Sequence, residues 1–168
     1  MLHADIKIIG EDILKNKATS VVDVTPEIYH LIEKMYKVMH EANGIGLAAN
    51  QIGSDLSIFV TKMRGHNEVF INPTIIEKDN EVLFTEGCLS IPGVRDQTKR
   101  FNRVVLTFQT PEDMTYVIRE EFEEMCAFVV QHEVDHLNGK LYLDNFNSFR
   151  KSVAIKKCNK VLKLLNRR

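Results

Sequence analysis

The chain has no tryptophan and no run of about 18 apolar residues, so no stretch of it matches a membrane-spanning helix. Cysteine is scarce and odd in number: Cys88, Cys126 and Cys158 lie far apart. Three scattered thiols do not make the disulfide framework of a small secreted domain, and a reducing cytoplasm is the expected setting. The opening "MLHADIKIIGED" carries acids and no small-residue cleavage pattern, so no secretory signal is expected there. A strong overall charge is also missing. A net charge of −1 on 168 residues draws the whole molecule neither to nucleic acid nor to a membrane surface. Acid is absent from one region in particular. No Asp or Glu follows Asp144, and residues 150–168 hold eight Lys or Arg, while the other 149 residues carry 14 basic and 23 acidic side chains. A basic tail follows an acidic body.

What is present reads as one globular domain with a real core, at 44% apolar and 27% charged residues. "TPEIYHLIEKMYKVMHEANG" is a helix: Thr25 suits the N-cap and Pro26 the first turn, Ile28, Leu31, Ile32, Met35 and Met39 form one apolar stripe, and Asn43-Gly44 supplies the stop. "GIGLAANQIG" reads as a loop that another chain could approach closely. "SIFVTK", "EVFINP", "EVLFT" and "RVVLTFQ" are short β-branched runs and read as strands, punctuated by Pro73, Pro92 and Gly93. A second helix is expected from about Glu120 to Asn138, ended by Gly139, and a third over much of the tail. The expected fold is α+β, with mostly antiparallel β-sheets around a central helix that carries the histidine motif, and with N-terminal and C-terminal helices.

That motif is "QHEVDHLNG", residues 131–139. His132 and His136, four apart, lie on one helix face, where their imidazoles can converge on one ion. Glu133 is too close in sequence to be a comfortable third ligand, but it is placed to exchange protons with a water at that ion. The bland alternative is a surface His pair beside an acid, and the apolar "CAFVV" just before the motif speaks against it. A catalytic site of this kind needs a third protein ligand. A third histidine in the pattern H-E-x-x-H-x-x-G-x-x-H is ruled out because Tyr142 occupies that position. A glutamate from a later helix is ruled out by the acid-free tail. The ligand must come from upstream, and "EGCLSIPG", residues 86–93, offers Cys88. Taken alone, a single cysteine is more often a small buried hydrophobe.

"GIGLAANQ" (44–51), "EGCLS" (86–90) and "QHEVDH" (131–136), in this order, resemble the three signature motifs of the peptide deformylases, and the resemblance extends over nearly the whole chain. It implies that Cys88, His132 and His136 bind one divalent metal, Fe2+ in cells with Zn2+ or Ni2+ able to replace it, and that a water takes the fourth position. It implies hydrolysis of the N-terminal formyl amide of formyl-methionine on nascent polypeptides. Glu133 would move the proton, and the Gln51 side-chain amide and the Leu89 backbone N–H would stabilise the oxyanion. The peptide would run beside Ile45, Gly46 and Gly87, and its Met side chain would enter a pocket near Phe128, Val129 and the stem of Arg95. For Arg95 a surface salt bridge is the alternative. Residues 1–148 would be the catalytic domain, and the basic helix 149–168 part of the same domain. Asp135 belongs to the motif, and a supporting hydrogen bond or salt bridge is all that can be assigned to it.

A general metallopeptidase is a rival reading, opposed by Tyr142, the acid-free tail and the Gln51–Cys88 pair. A non-catalytic protein with a structural metal is another; such a site is closed by four protein ligands, with Cys126 and Cys158 as spare candidates. In the tail, Ala154, Cys158, Val161, Leu162 and Leu165 form an apolar stripe opposite the lysines and arginines. One expectation is that the stripe packs on the body and the basic face only balances charge. The other follows the family's basic C-terminal helix: the tail recruits a monomeric enzyme to ribosomes, leaves the active site unshaped, and can be removed after about Ser148 without loss of short-peptide hydrolysis.

Overall fold

The computed structural model describes residues 5–165; the opening tetrapeptide and the last three residues of the tail, including Arg167 and Arg168, lie outside them. Helix α1 spans Pro26–Glu41 with Thr25 extended at its N-cap, as the Thr-Pro pair predicts. Its buried Ile28, Ile32, Met35 and Met39 are the expected stripe, joined by Val38. Asn43 takes a positive φ of 55° and Gly44 N–H caps the Met39 carbonyl, which turns the chain into the sheet.

Strands β1 (Gly46–Ala48), β2 (Ile58–Thr61), β3 (Glu68–Cys88), β4 (Ile91–Thr110) and β5 (Asp113–Glu123) form one five-stranded sheet in sequence order. Every neighbouring pair is antiparallel. Helix α2 (Glu124–Leu137) follows β5 directly, and helix α3 (Ser148–Leu165) closes the described chain. The α+β architecture is the expected one, with a single sheet. The long strand β3 absorbs two runs that the sequence reading separated: Pro73 does not end it but sits at a register shift between Ile71 and Thr74, where a bulge dispenses with the missing N–H.

Two local expectations are corrected. The "GIGLAANQIG" segment is not all loop: β1 pairs with β2, and a 3-10 turn over Ala49–Ile52 follows it. Helix α2 begins at Glu124, not Glu120, because residues 120–123 finish β5. Phe122, buried in the sheet–helix core, continues the period-two alternation of Met114, Tyr116 and Ile118. A positive φ of 51° at Glu124 then switches strand to helix without a loop.

Three cores result. α1 packs with β1 and β2 around Met35, Leu47 and Ile58. α2 packs on the sheet around Phe59, Phe70, Leu106 and Val130. The start of β4 packs with α3 around Ile91, Val94, Tyr142, Ala154 and Cys158, with Cys88 at its border. The tail stripe is thus part of the body. A chain cut after Ser148 would uncover the core bordering Cys88. Among the described residues no helix is long and apolar enough to cross a membrane.

Candidate active site

α2 presents His132 and His136 one turn apart, with ring centroids 4.9 Å from each other. β3 brings in Cys88 at its last residue, where the register against β4 shifts between Gly87 and Cys88. Such a shift re-aims a side chain, and here Cys88 Sγ lies 3.1 Å from His136 Nε2. One ligand atom from each of Cys88, His132 and His136 falls within 4.8 Å of the other two, the only such group of His, Cys and acidic residues among the described residues. Cys126 belongs instead to the sheet–helix core and Cys158 to the tail core, so neither closes the site with a fourth ligand.

The three candidate ligands are held from behind. His132 Nδ1 lies 2.5 Å from Glu86 Oε2, which leaves Nε2 for the cluster. Arg100 grips both oxygens of Glu86, Nε to Oε1 at 2.8 Å and Nη2 to Oε2 at 2.9 Å, and Thr98 donates its hydroxyl to Oε1. The remaining arm of Arg100, Nη1, reaches Asp135 Oδ2 at 2.5 Å. That contact is the supporting salt bridge assigned to Asp135. Burial opposes charge on Glu86, but the hydrogen bonds from His132 and Arg100 outweigh it and hold the carboxyl down at about 2. A carboxylate behind a histidine fixes its tautomer and raises its basicity as a ligand. On the other side of α2's turn, the Asn50 side-chain amide donates to the His136 carbonyl.

Glu133 is 3% exposed and its Oε2 has no hydrogen-bond partner. Burial is the main force raising its carboxyl to about 7; the charge on Glu86 adds to it and that on His132 works against it. It fits only because residue 46 is glycine: a Cβ there would stand 2.4 Å from Glu133 Oε1. Gln51 Oε1 accepts from Ala48 N–H at 2.9 Å, which turns Nε2 toward Ser90 Oγ (3.1 Å) and Cys88 Sγ (3.4 Å). Its donor therefore faces the cluster.

A cavity of about 630 Å³ opens over these groups. Its walls include every remaining residue singled out in the sequence: Ile45, Gly46, Gly87, Leu89, Arg95, Phe128 and Val129. His136 lies beneath, nearly fully buried. The Arg95 stem packs at Gly87, whose Cβ would meet Arg95 Cγ at 3.1 Å. β1 is an edge strand, hydrogen-bonded on one side only, so an extended peptide has a backbone to pair with. Residues that the sequence did not single out also contribute. Glu86, Arg100 and Ser90 are buried polar groups, and Phe84 stacks on Phe128 at 4.3 Å in the cavity wall. Glu86 alone carried a usable signal, an acid two residues before Cys88 in a strand.

The donor set fits a divalent cation. One thiol and two imidazoles converge, one imidazole is backed by a carboxylate, and the cluster opens on one side to the cavity, the arrangement of a catalytic and not a closed structural site.

The sequence profile of the family described as polypeptide deformylase matches residues 3–152. The chain is 43% identical to the peptide deformylase of Dictyoglomus turgidum over 140 residues, 83% of this chain and 90% of that one. It is 38% identical to peptide deformylase 3 of Shewanella oneidensis over 166 residues, 95% of this chain and 99% of that one. Among solved structures, a peptide deformylase from Legionella pneumophila superposes with a TM-score of 0.92 at 31% identity, covering 97% of both chains. One from Synechococcus elongatus, in complex with actinonin, superposes with a TM-score of 0.85 at 30% identity, covering 94% of this chain and 88% of that one. With its three motifs folded onto one cavity, the chain belongs to the polypeptide deformylase family.

Proposed function

We propose that the cavity binds the formylated N-terminus of a nascent polypeptide, and that the chain hydrolyses the formyl amide to formate and a free α-amine. The observation that carries this reading is the convergence of Cys88, His132 and His136 beneath a cavity that Glu133, buried and with one oxygen unpartnered, also lines. A divalent cation held by the three ligands would supply Lewis acidity and lower the pKa of water toward about 7.

The protein's own groups do the rest. Glu133, raised toward neutrality by burial, takes the proton of the attacking water and returns it to the departing nitrogen. Gln51 Nε2 and the Leu89 N–H donate to the carbonyl oxygen as it gains charge. Gly46 and Ile45 align the peptide along the free edge of β1, with Gly87 on the opposite side. The methionine side chain enters between Phe128 and Val129, with Phe84 extending the aromatic wall and Arg95 covering the mouth. Formate release from formyl-Met-Ala-Ser, measured with and without a chelator, tests this reading; a rate indifferent to chelation, or no formate at all, would sink it.

Fe2+ is the metal proposed for the cell. Thiolate and imidazole ligands also suit Zn2+ and Ni2+, and metal content after anaerobic purification distinguishes them. A monomer is the oligomeric state proposed, and sedimentation of the purified protein checks it. Three free cysteines agree with a cytoplasmic setting.

Recruitment to the ribosome is the reading we propose for the outer face of α3. Lys156, Lys157, Lys160 and Lys163 are exposed there, opposite the stripe that packs on the body, and a cluster of cations gives salt-dependent attraction to RNA phosphates. Replacing Lys156, Lys160 and Lys163 together by Glu should keep formyl-peptide turnover and weaken co-sedimentation with ribosomes at low salt by about tenfold or more. Undiminished co-sedimentation would reject the docking role.

A further inference from the structure

Four anchors tie α3 to the wall of the cavity. At its start, Arg150 forms a two-pronged ion pair with Asp96 and donates to the Gln97 carbonyl at 2.8 Å. In its middle, Ala154 and Cys158 are buried against Ile91 and Val94, with Cys88 at the edge of the same cluster. Further along, Val161 presses on Gly93: that glycine has a φ of +74°, and a Cβ on it would lie 2.5 Å from Val161 Cγ2. At its end, Leu165 itself lines the cavity. Pro92, Gly93, Val94 and Arg95, all cavity residues, are therefore backed by a helix whose last described side chain is part of the same surface.

Ile6, Ile91, Pro92 and Leu165 add apolar groups to the cavity lining; Ile91 shares the core of α3, whereas Phe84 and Phe128 stack on each other. On the reading given above, on which this inference rests, the formyl end is fixed at the Cys88–His132–His136 cluster and the first side chain lies between Phe128 and Val129. Only the peptide downstream of the formylated residue remains to reach Leu165.

We propose that α3 is a substrate-binding element, and that Leu165 contacts an apolar side chain of the peptide downstream of its formylated residue. The contact is remote from the reacting atoms, so it stabilises ground state and transition state alike. Its loss raises KM and leaves kcat unchanged. The neighbouring Leu164 is 56% exposed and is not among the cavity residues, which makes it an internal control.

The test uses the metal-loaded full-length protein and formyl-Met-Leu-Leu. Leu165→Asp should raise KM roughly tenfold and Leu165→Ala about threefold, the scale of losing part of one buried leucine, with kcat and Tm as in the parent. Leu164→Asp should change neither constant. Equal KM for the parent, Leu165→Asp and Leu165→Ala would overturn the contact, as would a kcat loss in the Leu165 variants without a change in KM. If Leu165→Asp lowers Tm, Leu165→Ala decides alone. If the parent releases no formate, it is the underlying reading of the site that fails, which is a different result from an active parent with unaltered variants.

Discussion

Cys88→Ala should lose metal and activity together. The substitution removes the anionic member of a three-ligand set whose donor atoms lie within 4.8 Å of one another. Two neutral imidazoles from adjacent turns of one helix cannot enclose a dication or offset its charge. The loss is therefore of occupancy first and of turnover as its consequence. Metal content by elemental analysis after purification, read beside formate release, checks both. The substitution lies where β3 ends against the tail core, and a thiol-to-methyl change there is small, so the fold and Tm should survive. A Cys88→Ala protein that retains one metal per chain and full activity would remove Cys88 from the site and reopen the search for a third ligand.

Glu133→Gln should separate proton transfer from metal binding. The side chain is buried and one of its oxygens has no partner, and an amide of the same shape keeps an oxygen able to accept from the backbone. The variant should keep its metal and lose on the order of 10²–10⁴ in kcat, the scale of a general acid–base. Gln51→Ala should behave in parallel, keeping metal and losing about 10²–10³, as when one oxyanion donor is removed. Stopped assays on metal-quantified samples distinguish these outcomes from simple metal loss. Near-parental kcat in either variant would cancel the role given to that residue.

The candidate ligands were legible in the sequence to different degrees, for physical reasons. His132 and His136 are visible because a helix maps spacing directly onto a face. Cys88 was reachable only by excluding other positions and by resemblance, since a bulge at the end of a long strand decides where it points. The network behind it was hidden. Glu86 meets Arg100 because the β3–β4 hairpin folds Glu86 opposite Asp96 and sets Arg100 opposite Val82, and no local pattern announces that register. Helix α1 followed its stripe and its caps. β5 was missed although Met114, Tyr116, Ile118 and Phe122 alternate along it, because the acid-rich "REEFEE" before the motif also suits the first turn of a helix. The tail stripe was read correctly as apolar. Its partner was not legible, because amphipathicity tells a helix to bury one face without saying against what.

The Glu86–Arg100–Asp135 chain of buried contacts links β3, β4 and α2 and is made wholly from protein groups. His132 is therefore held by hydrogen bonds on the side of its ring that faces away from the cluster. In small zinc modules the ligands converge only as the ion binds, and folding and metal capture are one event. Here the scaffold bears the ordering cost of the pocket, so capture spends little of its free energy on organising the chain. On the proposed reading, a chelator should therefore leave a folded protein with little change in its far-ultraviolet circular dichroism, and reloading with different cations should restore activity to each in turn.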